Sequence, residues 1–161
     1  MARITTNTTG TQPVIIIGLS GANLANSSVT INIPYIQDLT ITNSTGVYAY
    51  TDFSDADQRK LSTPADNKLS TNVVVDDTTY FGNANATANT AAFLGIASLS
   101  TNKNILDFKV YWNGTANTAQ YYTGTGFLTN LAPKTSPTAP VWVTPLDIAV
   151  DGKFFVNTPI A

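Results

Sequence analysis

Strict alternation of apolar and polar residues is the feature that most constrains the fold of this chain. In residues 105–112 (ILDFKVYW), every second side chain from Leu106 to Trp112 is apolar, which places these side chains on one face of a strand. Residues 29–33 (VTINI) repeat the same period of two, as expected for a strand that is buried on one side. A helix would instead need apolar residues at every third or fourth position. The pattern therefore predicts a β protein.

Similar short runs recur along the chain between Gly, Pro, Asn and Ser residues, which favour turns. Further strands are predicted over residues 12–19, 35–42, 47–53, 69–77, 121–131, 139–150 and 153–156, with a hairpin turn at 43–46 (NSTG). The chain has 26 β-branched Thr and no Glu, a composition that disfavours helix. We therefore predict one domain over residues 1–161, a β-sandwich or barrel of about eight strands.

Three segments depart from the strand pattern. Residues 89–97 (NTAAFLGIA) place apolar side chains on a helical stripe behind an Asn or Thr that can cap it, which predicts one short α-helix;. Residues 54–66 (SDADQRKLSTPAD) form the most charged and least apolar segment and predict a long exposed loop. Residues 1–11 are polar and lack periodicity, which predicts a flexible N-terminal arm.

The absence of two residue types excludes several kinds of active site. The 161 residues include no His and no Cys, so the chain has no Ser-His-Asp triad, thiolate nucleophile or His/Cys-ligated zinc site. The net charge is -2, with only 8 Lys and Arg. This balance argues against a nucleic-acid-binding surface, because such surfaces need many basic residues.

Paired Asp residues are the remaining candidates for chemistry. Asp55 and Asp57, or Asp76 and Asp77, could bind a hard cation, but neither pair has the spacing of an EF-hand loop. Asp in polar segments more often forms turns or helix caps, and we favour that interpretation. Two carboxylates could also cleave a glycoside, but no pattern pairs a raised-pKa acid with a second acid. We predict no enzyme activity, no metal and no cofactor.

The longest apolar run near the start of the chain, residues 14–19, is too short for the core of a secretory signal;. No segment approaches the roughly 20 apolar residues of a membrane span. The sequence therefore predicts no association with a membrane.

The low density of charge indicates a protein that assembles. Eighteen charged residues on a folded surface of about 7,800 Å² give roughly one charge per 430 Å²;. An ordinary composition would give about one per 190 Å². Neutral Thr and Asn can solvate a surface, but sparse charge also suits a subunit whose sheet edges are covered by copies of itself.

The order of these segments resembles the tail tube (major tail) proteins of long-tailed bacteriophages. The resemblance covers about residues 29–156 and rests on segments in this order: 33–38 (IPYIQD), the loop 54–66, 73–82 (VVVDDTTYFG), the helix, 105–112, 122–133 (YTGTGFLTNLAP), 139–141 (APV) and 150–154 (VDGKF). The closing part of the family has the same order. A glycine, a hydrophobic residue and Thr come first, as in 122–133; an apolar residue followed by Pro comes next; and a last strand with Gly ends the pattern, as in 150–154.

The resemblance implies a virion structural protein that assembles into hexameric rings, which stack around a channel for DNA ejection. The partners would be copies of itself and other tail or capsid proteins, with DNA passing through without specific binding. The protein would be made in the host cytoplasm and reside in the phage tail. We hypothesise that the loop at 54–66 reaches the adjacent ring, where Asp55, Asp57, Arg59 and Lys60 set the register through complementary charges. The alternative is a solvated loop that contacts no partner.

Two other functions remain compatible with the composition. A capsid decoration or cement protein, a compact β trimer, shares the Thr- and Asn-rich, His-free character. A carbohydrate-binding β-sandwich would display exposed aromatic residues on one face. Electron microscopy separates rings or filaments from compact trimers, and binding to a glycan by a monomer would favour the third function.

Overall fold

The mainly β class predicted from the sequence is confirmed. The computed structural model describes residues 12–33, 35–51, 57–112, 114 and 120–157, so the predicted N-terminal arm at 1–11 lies outside the described residues. The elements in chain order are β1 (Val14–Leu19), β2 (Ile31–Ile33), β3 (Ile36–Tyr50), β4 (Arg59–Val74), α1 (Asp77–Phe81), α2 (Ala91–Thr101), β5 (Leu106–Tyr111), β6 (Tyr121–Leu131), β7 (Lys134–Ser136), β8 (Ala139–Val150) and β9 (Phe155–Asn157).

The nine described strands form one antiparallel sheet. The main path runs in the order β2-β1-β5-β6-β8-β4-β3, while β7 pairs with β8 and β9 pairs with β6. The predicted strands at 35–42 and 47–53 are one strand, β3, and the three-residue strand β7 was not predicted. Among the described residues the path ends at β2 and at β3, so the sheet is open rather than closed into a barrel.

A single hydrophobic core holds this sheet in a curve. The cluster joins Ile31 and Ile33 at one end of the path to Leu69 and Val73 near the other, so the same face of the sheet turns inward along its whole length. At the centre, β5 buries every second side chain as the alternation predicted, and Phe108 is fully buried. Burial of apolar area at about 25 cal/mol per Å² is what stabilises this arrangement.

Two helices follow β4, where the sequence predicted one. The predicted helix is α2, which begins after its cap Thr90 and kinks at Gly95. The additional helix α1 has only five residues and begins after Asp76, whose carboxylate accepts a hydrogen bond from the Thr79 backbone N–H. A helix this short leaves no detectable periodicity, because one turn needs only a cap and a few permissive residues.

The predicted loop at 54–66 requires a correction. Residues 59–66 are not loop: they form the first half of β4, paired in register with β3 from Tyr50↔Arg59 to Ser44↔Asp66. Backbone groups make these hydrogen bonds, so a strand with both faces in solvent needs no apolar alternation. Residues 52–56 lie outside the described residues.

The predicted hairpin turn at 43–46 is also wrong, because β3 runs straight through it. Gly46 instead lies at a register shift between Thr45 and Val47, which is the signature of a β-bulge. A Cβ atom at Gly46 would lie 2.0 Å from the Thr63 hydroxyl oxygen. The glycine therefore serves the close approach of the two strands rather than a turn.

An ion pair between the exposed Lys68 and the buried Asp147 crosses the outer face of the sheet. The Lys68 ammonium nitrogen lies 2.9 Å from the Asp147 carboxylate, and the Asn130 amide donates to the same oxygen at 3.2 Å. Burial raises the pKa of Asp147, but the hydrogen bonds from Lys68, Asn130 and Ser70 and the charge of Lys68 outweigh it. The pKa of this carboxyl is therefore lower than usual.

We expect this pair to make the fold sensitive to acid. Since the folded pKa is lowered, the pair stabilises the fold above the unfolded Asp value of about 3.9, and this contribution is lost as the pH falls through the folded value. Asp147→Asn should lower the free energy of unfolding at pH 7 by about 1–3 kcal/mol and should flatten its decline below pH 4. Urea unfolding at several pH values measures both. The exposed Asp151→Asn is the control, and equal acid slopes in all three proteins would contradict the prediction.

Candidate functional site

Strands β3 and β4 extend beyond the sheet as a two-stranded ribbon, here named the hairpin arm (residues 43–50 and 59–67). β4 pairs with β8 only from Lys68 to Val74, whereas its pairing with β3 continues to Tyr50↔Arg59. At about 3.4 Å per residue, the arm reaches about 24 Å past its base. Apart from Asn67 at that base, no described arm residue is buried.

The hairpin arm exposes large apolar side chains. Tyr48 is 60% exposed and lies directly across from Leu61, which is 55% exposed, and the Tyr48 and Tyr50 rings stack at 6.2 Å. On the other face of the ribbon Val47 is 61% exposed. An isolated two-stranded hairpin is only marginally stable in water. An arm with apolar residues on both faces is therefore suited to contact with another protein.

The structure places three of the four predicted contact residues at the tip of this arm. Asp57 is exposed, Arg59 pairs with Tyr50, and Lys60 pairs with Ala49, while Asp55 lies outside the described residues. Successive strand positions point to opposite faces, so Arg59 shares the face of Tyr48 and Lys60 does not. The two basic residues therefore do not form one patch.

Sequence reasoning missed the aromatic residues of the arm. The alternation in residues 47–50 (VYAY) correctly predicted a strand, but that strand was expected to lie in the body of the domain. The signal that could have found the arm is the polar sequence on both sides of residues 47–61. Residues 40–46 and 62–68 contain too few apolar residues to cover a core, so a strand between them must project from the body.

The free edge of β3 is the second unusual surface. Among the described residues this 15-residue strand pairs only with β4, so its other edge is unpaired. Its one charged residue, Asp38, is held toward β4 by hydrogen bonds from the Asn72 backbone and side chain at 2.8 and 2.6 Å. Proteins usually protect edges with Lys, Pro or short strands. A long edge without them is available for pairing with another chain.

The acidic pair that could be described in full is structural. The Asp76 carboxylate accepts hydrogen bonds from the Thr78 and Thr79 hydroxyls and from the Thr79 backbone. The Thr78 hydroxyl is the main reason that the pKa of Asp76 is lower than usual. All three bonds go to Oδ2, so this carboxylate caps α1, the role that we favoured from the sequence. The described part of the chain contains no group of three potential metal ligands.

A groove of about 580 Å³ opens between the starts of β1 and β3. Its described lining includes Pro13, Ile33, Tyr35 and Ile36, and Asp38 is the one charged residue among the described lining residues. The Asp38 carboxylate already accepts hydrogen bonds from Asn72, and general acid–base catalysis by a pair of carboxylates would need a second one.

Among the helices of the described residues, none is long and apolar enough to cross a membrane.

Known proteins resemble this chain in fold rather than in sequence. No protein-family model matches it, and no curated protein matches it. A chain in the structure of the tail of an empty gene transfer agent particle, refined with C6 symmetry, gives a TM-score of 0.60 at 11% identity, covering 90% of this chain and 96% of that chain. A chain from the native gene transfer agent virion gives 0.59 at 13% identity, covering 90% and 95%.

A third similar structure comes from a different kind of particle. A chain in the sheath/tube terminator of an extracellular contractile injection system, in its extended state, gives a TM-score of 0.56 at 14% identity, covering 91% of this chain and 93% of that chain. Agreement over nine-tenths of both chains establishes a shared fold. This chain therefore shares its fold with chains of gene transfer agent and contractile injection system particles.

Proposed function

We propose that this chain is a subunit of a phage tail tube. The observation that carries the proposal is the fold, shared along almost the whole chain with a protein from a tail of six-fold symmetry. The β3 edge and the hairpin arm support it, because among the described residues no second strand pairs with that edge and the arm exposes Val47, Tyr48 and Leu61. A tube built from one repeated chain would supply partners for both.

In this proposal each surface makes a different contact. The β3 edge pairs with another sheet edge of the next copy, which is a heterologous contact that can close into a six-membered ring. The hairpin arm extends along the tube axis to the adjacent ring. Asp57, Arg59 and Lys60 at its tip, together with Asp55, adjust the register, while the apolar side chains behind the tip supply most of the contact energy.

The function that follows is mechanical and needs no catalysis or cofactor. Stacked rings enclose a channel through which DNA leaves the capsid, and the protein resides in the virion tail after synthesis in the host cytoplasm. A chain with 8 basic and 10 acidic residues offers DNA little attraction, since binding to DNA depends on neutralising its phosphates. DNA would therefore pass without specific binding.

Electron microscopy of the purified protein tests this proposal. We expect six-fold rings and tubes of stacked rings at micromolar concentration, with longer tubes as concentration rises. Compact trimers that never stack would instead support a capsid decoration protein. A monomer at every concentration would contradict the proposal, and a monomer that binds a glycan array would favour the carbohydrate-binding function.

A further inference from the structure

We propose that the hairpin arm of one copy docks on the helical corner (residues 78–102) of a copy in the next ring. This inference rests on the ring stacking of the proposed function and adds the surface that receives the arm. β4 begins in the arm at Arg59 and ends in the body at Val74, and α1 starts three residues later at Asp77. The helical corner therefore follows the end of β4 that is opposite the arm.

The composition of the helical corner is that of a protein–protein contact. Its 25 residues include no Asp, Lys or Arg, whereas about a quarter of positions are charged in ordinary domains. Phe81 is 67% exposed and Phe93 is 38% exposed. Neutral polar residues such as Asn83, Asn85 and Thr87 are exposed beside them. Aromatic residues within an uncharged, polar rim are typical of binding surfaces.

Two glycines fix the position of these aromatic residues. Gly82 and Gly95 both have positive φ angles, of 99° and 73°. A Cβ atom at Gly95 would lie 2.3 Å from the Gly82 backbone nitrogen, so the two helices touch through their backbones. The Asn83 N–H also donates to the Ala92 carbonyl at 2.9 Å. Phe81 and the chain before Phe93 are thus held together before any partner binds, which lowers the entropic cost of docking.

The hairpin arm resembles this surface in its exposed aromatic and apolar character. Tyr48, Tyr50 and Leu61 form an apolar face that includes one cation, Arg59. The helical corner itself is uncharged and is bordered by one exposed anion, Asp77, and one exposed cation, Lys103. Copies of this chain carry the same net charge of -2, so a contact between them is least opposed where the receiving surface is uncharged.

The placement of the two surfaces also matches an open stack. An arm at one end that binds a corner at the other end is a head-to-tail contact. Such contacts repeat without limit when they do not close on themselves. One pair of surfaces is therefore sufficient to add ring after ring along an axis.

Site-specific cross-linking tests this inference directly, because the chain has no native Cys. Ala49→Cys in the arm and Ala88→Cys in the corner change small, exposed residues. Tubes grown from an equal mixture of the two variants are treated with a short bis-maleimide. The control mixture replaces Ala88→Cys with Thr129→Cys, an exposed position on β6 that lies in neither surface.

We expect the arm–corner mixture to give at least tenfold more cross-linked dimer than the control mixture. We also expect Phe81→Asp to form rings but no tubes. Tubes that cross-link equally in both mixtures would overturn the inference and leave the proposed function standing. If the unmodified protein forms neither rings nor tubes, the proposed function itself fails.

Discussion

A chain whose hairpin arm is cut back should fold, form rings and fail to form tubes. The variant replaces residues 46–64 with Asn-Gly, a two-residue turn suited to joining Thr45 to its partner Ala65;. None of the buried core residues in the described part of the chain lies in the removed segment. The fold should therefore keep its melting temperature to within a few degrees, while every contact made by the distal arm is lost.

The expected loss is large because the removed side chains are large. Full burial of one Tyr, Leu or Val contributes about 1.5–3 kcal/mol, and about 1.4 kcal/mol is a tenfold change in affinity. Removing Val47, Tyr48, Tyr50 and Leu61 together should lower the affinity between stacked rings by more than about a hundredfold. Sedimentation and electron microscopy then show single rings at concentrations where the unmodified protein forms tubes. Tubes of normal length from the shortened chain would contradict an axial role for the arm.

The same magnitudes rank the charged residues below the apolar ones. Exposed ion pairs contribute only about 0.2–1 kcal/mol and are screened by salt. Replacing Arg59 and Lys60 with Ala in a full-length arm should therefore shorten tubes without abolishing them. The double variant Tyr48→Ser with Leu61→Ser should shorten the tubes further. The order of these two effects decides whether charge or apolar burial dominates the contact.

The sequence predicted the body of this fold better than its projections. In β5, one face is buried from Leu106 to Val110, and burial requires apolar side chains on that face, so the alternation in the sequence predicts the strand. In the distal half of β4, from Arg59 to Asp66, both faces meet solvent, and no burial shapes the choice of side chains. The same residue types serve equally in a loop, which is why composition could not separate the two.

The site was half predicted for a related reason. Asp57, Arg59 and Lys60 stand out in the sequence because charge is rare in this chain, and they do lie at the arm tip. The Tyr48 and Leu61 pair depends on a register across a bulge at Gly46. A one-residue change in that register would place the two side chains on opposite faces. Only the paired structure reveals that they form one surface.

A charge placed on the free edge of β3 should block the formation of rings. Thr40 is exposed on this edge strand, and Lys is a residue that natural proteins use to prevent edges from pairing. Thr40→Lys should weaken lateral assembly by at least roughly tenfold, which corresponds to about 1.4 kcal/mol. Because rings precede tubes in the proposed assembly, both should be lost. Analytical ultracentrifugation should show a monomer where the unmodified protein forms rings.

The matched control is Thr129→Lys, which adds the same charge at an exposed position on β6, a strand with neighbours on both sides. Thr40→Asp tests the sign, since a carboxylate on the edge should also block pairing if desolvation of a charge is the cause. If Asp blocks assembly more strongly than Lys, repulsion between copies of net charge -2 adds to the desolvation cost, and added salt should partly restore assembly;. Rings that form normally with either charge at Thr40 would show that neighbouring copies meet through some surface other than the β3 edge.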